Sequence, residues 1–453
     1  MSKIPVILIF DIGKTNKKLL LINEYYKVLI EENVQLKEAM DEDDFPCENI
    51  ETLTSWILDS YQRWIKSDAY EIKAVNFSAY GASFVLLDEN KQSFLPLYNY
   101  LKPFQNELQQ TLYQQHGGEE QFALETSSPV LGSLNAGLQL YRLSKLRPAE
   151  FQKLKYALHL PQYLSYLISH KMGSDITSIG CHTALWDFKR NRYHDWVFQE
   201  GIAEKLQPIE SVDACTINAE SNISIGIGLH DSSAALIPYL KTINERFILI
   251  STGTWCISLN PFNQHTLTAS ELKQDCLFYY SYEGKPVKAS RLFAGYEHDI
   301  QVKRLSEYFH VALDHHKSVK YRKEIIEKLH LNHEEVKEDF SPRCFIFSSR
   351  NLQDYKDFDE AYHQLMLDIV SMQVKSTKLI IQDSSMQSIY VDGGFSSNQI
   401  YMQLLSNYFS SYKVYAAAVP QASAIGAAVA MHQQWNHHSI PSHLVECTQI
   451  HPL

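Results

Sequence analysis

Pro5-Val-Ile-Leu-Ile-Phe-Asp-Ile-Gly-Lys-Thr-Asn-Lys-Lys-Leu-Leu-Leu-Ile22 sets two apolar, β-rich runs on either side of a polar turn at Gly13. This pattern predicts a β-hairpin. The first run is apolar at every position from Val6 to Phe10, so its strand is predicted to be central and buried on both faces. Half a chain later the arrangement returns: Phe247-Ile-Leu-Ile250 enters Ser251-Thr-Gly-Thr254, and Trp255-Cys-Ile-Ser-Leu259 leaves it. Two such strand–turn–strand units predict a duplicated architecture with a cleft between its halves. A tight glycine turn also lets backbone N–H groups approach an anion.

The 453 residues correspond to two to four domains at roughly 100–200 residues each. Forty-one basic against 52 acidic side chains leave a net charge of −11, which excludes a general nucleic-acid binder with a basic footprint. There is no apolar run of membrane-spanning length, so no membrane partner is expected. The Val6–Phe10 run ends at Asp11, too short for the apolar region of a signal peptide. The seven cysteines are widely spaced, odd in number and without a CxxC. Neither a disulfide framework nor a zinc site is expected, and a cytoplasmic location follows as the expectation.

Apolar spacing predicts helices over 50–65, 135–146, 159–171, 362–382, 398–409 and 422–432, and strands over 72–78, 83–88 and 389–391. Residues 311–342, rich in His, Lys and Glu, read as a solvated insertion.

Four stretches carry candidate chemistry. In Asp11-Ile-Gly-Lys-Thr-Asn16 the turn could cradle phosphate while an acid at the strand end holds Mg²⁺ through waters, although a plain surface turn has the same residues. Ser251-Thr-Gly-Thr254 is a second turn of the kind. Gly226-Ile-Gly-Leu-His-Asp231-Ser-Ser-Ala-Ala235 offers Asp231 either as a helix cap or as a general base. Asp392-Gly-Gly-Phe-Ser-Ser-Asn398, followed by Gln421-Ala-Ser-Ala-Ile-Gly-Ala427, permits close approach of a nucleotide; a helix-packing seam is the structural alternative.

In this order and spacing the four stretches resemble the FGGY carbohydrate kinases, over about residues 5–435. Within that family, Tyr80-Gly-Ala-Ser-Phe-Val-Leu-Leu-Asp88, His230-Asp-Ser232 and Ser251-Thr-Gly-Thr-Trp255 look most like the L-fuculose and L-rhamnulose kinases. The resemblance implies an α/β fold of two ribonuclease-H-like, actin-like ATPase domains, 1–243 and 244–453, with a ligand cleft between them. It implies ATP and Mg²⁺ as cofactors and a small-molecule sugar as partner; a homodimer stays open. Residue by residue it makes Asp231 the catalytic base and Asp11 the Mg²⁺ residue. Gly13, Lys14, Thr15 and Asn16 match the first phosphate loop, and Thr252, Gly253 and Thr254 the second. Gly393, Gly394 and Asn398 match the nucleotide turn, with the first domain binding sugar and the second binding nucleotide. Tyr80, Ser83, Tyr100, His230 and Asp231 fall at sugar-side positions.

Four positions depart from the family pattern. Lys14 stands where Thr or Ala is usual, Phe395 where a third glycine is, and Gln421 where Glu is. Ser83 stands where the fuculose and rhamnulose kinases carry an Asp that contacts sugar hydroxyls, which opens the identity of the sugar, a pentulose or polyol included. Asp175, in Ser-Asp-Ile-Thr, reads as a cap or a ligand contact; Tyr98 and Trp186 read as core or as sugar-stacking rings. The pairs His315-His316 and His437-His438 read as surface histidines. A dinucleotide site is excluded, because no GxGxxG follows the first strand. The lead expectation is ATP-dependent phosphorylation of a ketose hydroxyl; the rival is an actin-like nucleotide or sugar sensor without useful transfer.

Overall fold

The continuous apolarity of Ile4–Ile12 is that of a strand paired on both sides. In the computed structural model, which describes residues 2–218, 221–330, 345–381 and 385–453, it is the centre of a mixed sheet. It pairs antiparallel with Lys17–Asn23, which pairs antiparallel with Val28–Val34. Its other edge pairs parallel with Tyr70–Ala79, beside which Ser224–Gly226 and Leu229–His230 also run parallel. Val6, Leu8 and Phe10 pack with Leu53, Ile57, Leu164 and Ile168 of helices Ile50–Ile65 and Leu160–Ser169. Asn49 starts the first of these helices by accepting the Thr52 N–H on its side chain. Ala422–Ala430 also packs on this sheet and lies against helix Asp231–Thr242. A Cβ on Gly426 would sit 1.8 Å from the Ala234 carbonyl oxygen, so only glycine allows the two helix backbones to meet.

Phe247–Thr252 repeats the pattern. It pairs antiparallel with Cys256–Asn260, which pairs antiparallel with Pro286–Leu292; on its other edge it runs parallel to Ser388–Gly393, next to Lys413–Ala418. Glu446–Ile450 closes that edge antiparallel. Both sheets are therefore an antiparallel meander continued by parallel strands across its first member. Phe358–Lys378 is the buried helix of the second sheet, its start capped by Asp357.

By contacts the chain divides into a first unit, running to Thr242 and including Phe278–Pro286 and Pro420–Leu444, and a second of Ile243–Leu277, Val287–Val419 and Val445–Leu453. By contacts, residues 420–444 group with the first unit, where the small-residue helix Ala422–Ala430 finds its glycine-tight partner. Of the 311–342 stretch, Lys323–His330 is a helix that buries Ile326 and Leu329, so this part is packed and not merely solvated. Residues 331–342 lie outside the described residues. Among the described residues no helix is long and apolar enough to cross a membrane.

Candidate functional site

In the first unit, Leu229–His230 ends beside Tyr70–Ala79 and Asp231 is the first residue of the helix that follows. Asp231 is thus inside the helix and does not precede it as a cap. Its Oδ1 accepts from the Ser232 N–H at 2.5 Å and from Ser232 Oγ at 3.2 Å, and about a third of the side chain (35%) stays exposed, enough to meet a ligand. His230 beside it is buried, with Nε2 3.0 Å from Cys181 Sγ and 3.4 Å from Asp231 Oδ1. The His230 ring stacks on Tyr279 with centroids 5.8 Å apart. Burial lowers its pKa, and the Asp231 carboxylate opposes that shift. A Cβ on Gly81 would lie 2.8 Å from His230 Cδ2, which explains the glycine after Tyr80.

Asp11 belongs to the same cluster. Burial pushes its pKa up to about 6; the hydrogen bond from Ser423 lowers it and the Asp231 charge raises it. Ser423 Oγ donates to Asp11 Oδ2 at 2.9 Å. A buried carboxylate that feels the charge of a second one suits a divalent cation, and Mg²⁺ needs only one or two because it keeps most of its waters. The described residues contain no group of three or more His, Cys, Asp or Glu arranged to hold a metal.

The Gly13 turn is closed by the Gly13 N–H donating to the Asn16 carbonyl at 2.9 Å. Thr15 and Asn16 are exposed at its tip, where Asn16 Oδ1 accepts from Gln35. Lys14 Nζ pairs with Glu38 at 2.8 Å. Lys18 Nζ donates to Gln421 Oε1, and Gln421 Nε2 donates to Glu31, so the unusual Gln421 bridges a lysine and a glutamate. Tyr80 is buried against Tyr100, with centroids 6.0 Å apart. Ser83 is buried as well, and its Oγ donates to the Tyr98 carbonyl at 3.5 Å. Trp186 Nε1 donates to the Tyr280 hydroxyl inside the core.

Asp175 is a cap. Its Oδ1 accepts from the Thr177 and Ser178 N–H groups and from Thr177 Oγ1, which in turn accepts the His230 N–H at 3.0 Å. Oδ2 is buried without a partner, and burial pushes the Asp175 pKa up to about 7, against the lowering effect of these bonds. A folded-state pKa above the unfolded one gives stability that is complete below about 4 and is lost as pH rises through about 7. Asp175→Asn keeps the Oδ1 acceptor and removes the buried charge. The variant should be more stable than wild type at pH 8 by roughly 2–4 kcal/mol and so melt at a higher temperature, with the difference vanishing near pH 4. Thermal melts across pH 4–9 measure it, and a constant difference would disprove the linkage.

In the second unit, a pocket of about 540 Å³ is lined by Thr252, Gly253, Thr254, His298, Gly394 and Asn398, among others. Thr252 Oγ1 donates to the Asp392 carbonyl at 2.6 Å and accepts the Phe395 N–H at 3.0 Å, so one hydroxyl joins the two turns. Gly393 has φ +89°, and a Cβ there would lie 2.0 Å from the Thr252 carbonyl oxygen. A Cβ on Gly394 would meet nothing within 4 Å. Phe395 turns inward, its ring stacked 4.7 Å from that of Tyr401, so the residue in place of a third glycine is a core anchor. Asn398 caps the next helix through Oδ1, to the Ile400 and Tyr401 N–H groups, and donates through Nδ2 to the Tyr362 hydroxyl. That hydroxyl also meets His298 Nε2, whose pKa burial lowers to about 4.

The first unit thus brings together Asp11, the Gly13 turn, Tyr80, Tyr100, His230 and Asp231; the second brings together Thr252, Gly253, Thr254, Gly393, Gly394 and Asn398. Cys181, Tyr362 and His298 escape the sequence reading of the site, and Ser423, inside the quoted 421–427 stretch, gives no sign there of its bond to Asp11, because only long-range pairing puts them together. A carboxylate about one-third exposed, in the field of a second acid, can accept a proton next to a cation, and a glycine-walled pocket can take a flat, phosphate-bearing ligand.

Two family models match the chain: "FGGY family of carbohydrate kinases, N-terminal domain" over residues 6–237 and "Carbohydrate kinase FGGY, C-terminal domain" over residues 244–439. A rhamnulokinase of Halalkalibacterium halodurans is 25% identical over 264 residues, 54% of this chain and 52% of that protein. A rhamnulokinase of Oceanobacillus iheyensis is 23% identical over 233 residues, 49% of this chain and 48% of that protein. The chain spans about half the length of the curated relatives it matches. Among solved structures, a carbohydrate kinase from Novosphingobium aromaticivorans superposes with TM-score 0.81 at 21% identity, covering 100% of this chain and 95% of that one.

Proposed function

Since the chain belongs to the FGGY family of carbohydrate kinases, we propose that it transfers the γ-phosphoryl group of ATP to a hydroxyl of a ketose sugar, with Asp231 as the base. The observation that carries this reading is the Asp231 carboxylate, partly exposed at the head of its helix and within electrostatic reach of Asp11. A protein that only sensed ligands would have no use for a base there.

In the proposed reaction the sugar oxygen attacks the γ-phosphorus, its proton passes to an Asp231 oxygen, and the bond to the β-phosphate oxygen breaks to release ADP. His230 holds the rear of the Asp231 carboxylate and Ser232 fixes its Oδ1, leaving Oδ2 for the hydroxyl. Within its own unit each glycine turn would offer phosphate oxygens backbone N–H groups other than those of Gly13 and Gly253, which bond the Asn16 and Trp255 carbonyls. Asp11 would hold Mg²⁺ through waters, and the ion would supply charge neutralisation on the phosphates when bound.

The sugar is proposed to be a ketose related to L-rhamnulose and L-fuculose but differing in hydroxyl pattern. Two points support this: the rhamnulokinase relatives, and Ser83, whose buried hydroxyl is turned to the Tyr98 carbonyl where an acid would bind sugar. A charged hydrogen bond lost there weakens recognition by about 1.5–3 kcal/mol. ADP release should be measured across ketoses, pentuloses and polyols. A ketose other than these two should give the highest kcat/KM. Release with L-rhamnulose or L-fuculose as the best substrate would refute the sugar assignment, and no sugar-dependent release with any of them would favour a sensor.

A further inference from the structure

Lys17 follows the first loop, and no role at the site follows from its place in the sequence. It is almost fully buried, at 2% exposure, and so is Glu48 at 3%. Lys17 Nζ lies 2.9 Å from Glu48 Oε2 and donates to the Lys14 carbonyl at 2.9 Å. The same Glu48 oxygen accepts from the Tyr80 hydroxyl at 3.4 Å. The connection therefore runs from the backbone of the Gly13 turn, through a buried ion pair, to the aromatic pair Tyr80–Tyr100, and the Asp231 charge acts on the Tyr100 phenol. Burying two charges is costly unless they are paired and their remaining hydrogen-bonding groups are used. Here the ammonium is used on the turn and the carboxylate on the sugar side. Hydrophobic residues would fill this place at less cost, so the pair calls for a role other than filling space.

Resting on the kinase reading above, we propose that Lys17 and Glu48 are positioning residues that tie the phosphate loop to the sugar side of the first unit. A sugar seated on Tyr80 and Tyr100 then stiffens the turn at Lys14, and phosphate bound at the turn stiffens Tyr80. The two ligands are coupled through one ion pair, and linkage makes the effect reciprocal.

The test is calorimetry of the preferred ketose with and without a non-hydrolysable ATP analogue, alongside steady-state kinetics and a thermal melt of each variant. Wild type should bind the sugar at least fivefold more tightly with the analogue present. Lys17→Met/Glu48→Gln removes both charges, so no lone ion is left buried. It should melt cooperatively, lose this enhancement to within twofold of unity, and fall at least tenfold in kcat. Lys17→Arg, which keeps the charge, should recover most of both. Tyr80→Phe deletes one hydroxyl and no charge, and covers the case in which the paired variant does not fold; it should lose at least half of the enhancement. Wild-type enhancement and kcat within twofold in the paired variant, or unchanged enhancement in Tyr80→Phe, would overturn the proposal. Failure of the kinase reading shows separately, as wild type that releases no ADP with any sugar.

Discussion

Asp231→Ala should still bind ATP and sugar yet lose roughly 10²–10⁴-fold in kcat, the usual share of a positioned base. Asp231→Asn should lose as much, because the amide keeps the shape and the Ser232 contacts but cannot take a proton. In the proposed reaction the effect belongs in kcat, because there the carboxylate acts as the hydroxyl loses its proton. Single-turnover measurements with sugar affinity measured in parallel separate the two parameters. A variant with intact kcat and weakened sugar binding would make Asp231 a ligand contact.

The two adjacent glycines should respond in opposite ways. At Gly394 an added side chain has open space and projects toward the pocket, so Gly394→Val should leave the fold intact and raise the KM for ATP at least tenfold, with the sugar KM changed less than about threefold. At Gly393 the backbone is left-handed and the Thr252 carbonyl occupies the place of a Cβ. With ψ −153° this is a conformation open essentially to glycine alone, so Gly393→Ala costs about 1–3 kcal/mol for the backbone alone, and the clash adds to it. It should also break the Thr252 hydroxyl bridge, lowering the melting temperature along with activity. Thermal melts and initial rates on both variants check this; a larger effect of Gly394→Val on sugar than on ATP would move the nucleotide away from this turn.

The sheets were legible because their central strands are buried on both faces and spell continuous apolar runs, as in Val6–Phe10 and Phe247–Ile250. Helices 50–65 and 399–408 were legible for a related reason: each buries one stripe against a sheet. The small residues at 422–428 read in sequence as room beside a nucleotide or as a packing seam; Gly426 packs against Ala234 as a seam does, and that contact has no local signature. Asn398 lies in a turn that lines the second unit's pocket, and both ends of its amide are committed, to the helix start and to Tyr362. Lys17 and Glu48 stand 31 positions apart, on a strand and just ahead of a helix, and their pairing follows only from tertiary structure. Ser83 departs visibly from the family pattern, but the turn of its hydroxyl to the Tyr98 carbonyl is set by tertiary structure.

Helix Ala422–Ala430 has a consequence for the order in which the molecule can be made. Ser423 reaches Asp11, Asn76 donates to the Ala427 carbonyl, and Gly426 lies against Ala234, so the first unit is finished by residues synthesised more than four hundred positions after its first strand. Domains that emerge first from the ribosome ordinarily fold first. Here the whole second unit up to Val419 has been translated before the first sheet receives its last cover, and until then the apolar surface that this helix hides remains open to chaperones or to premature association.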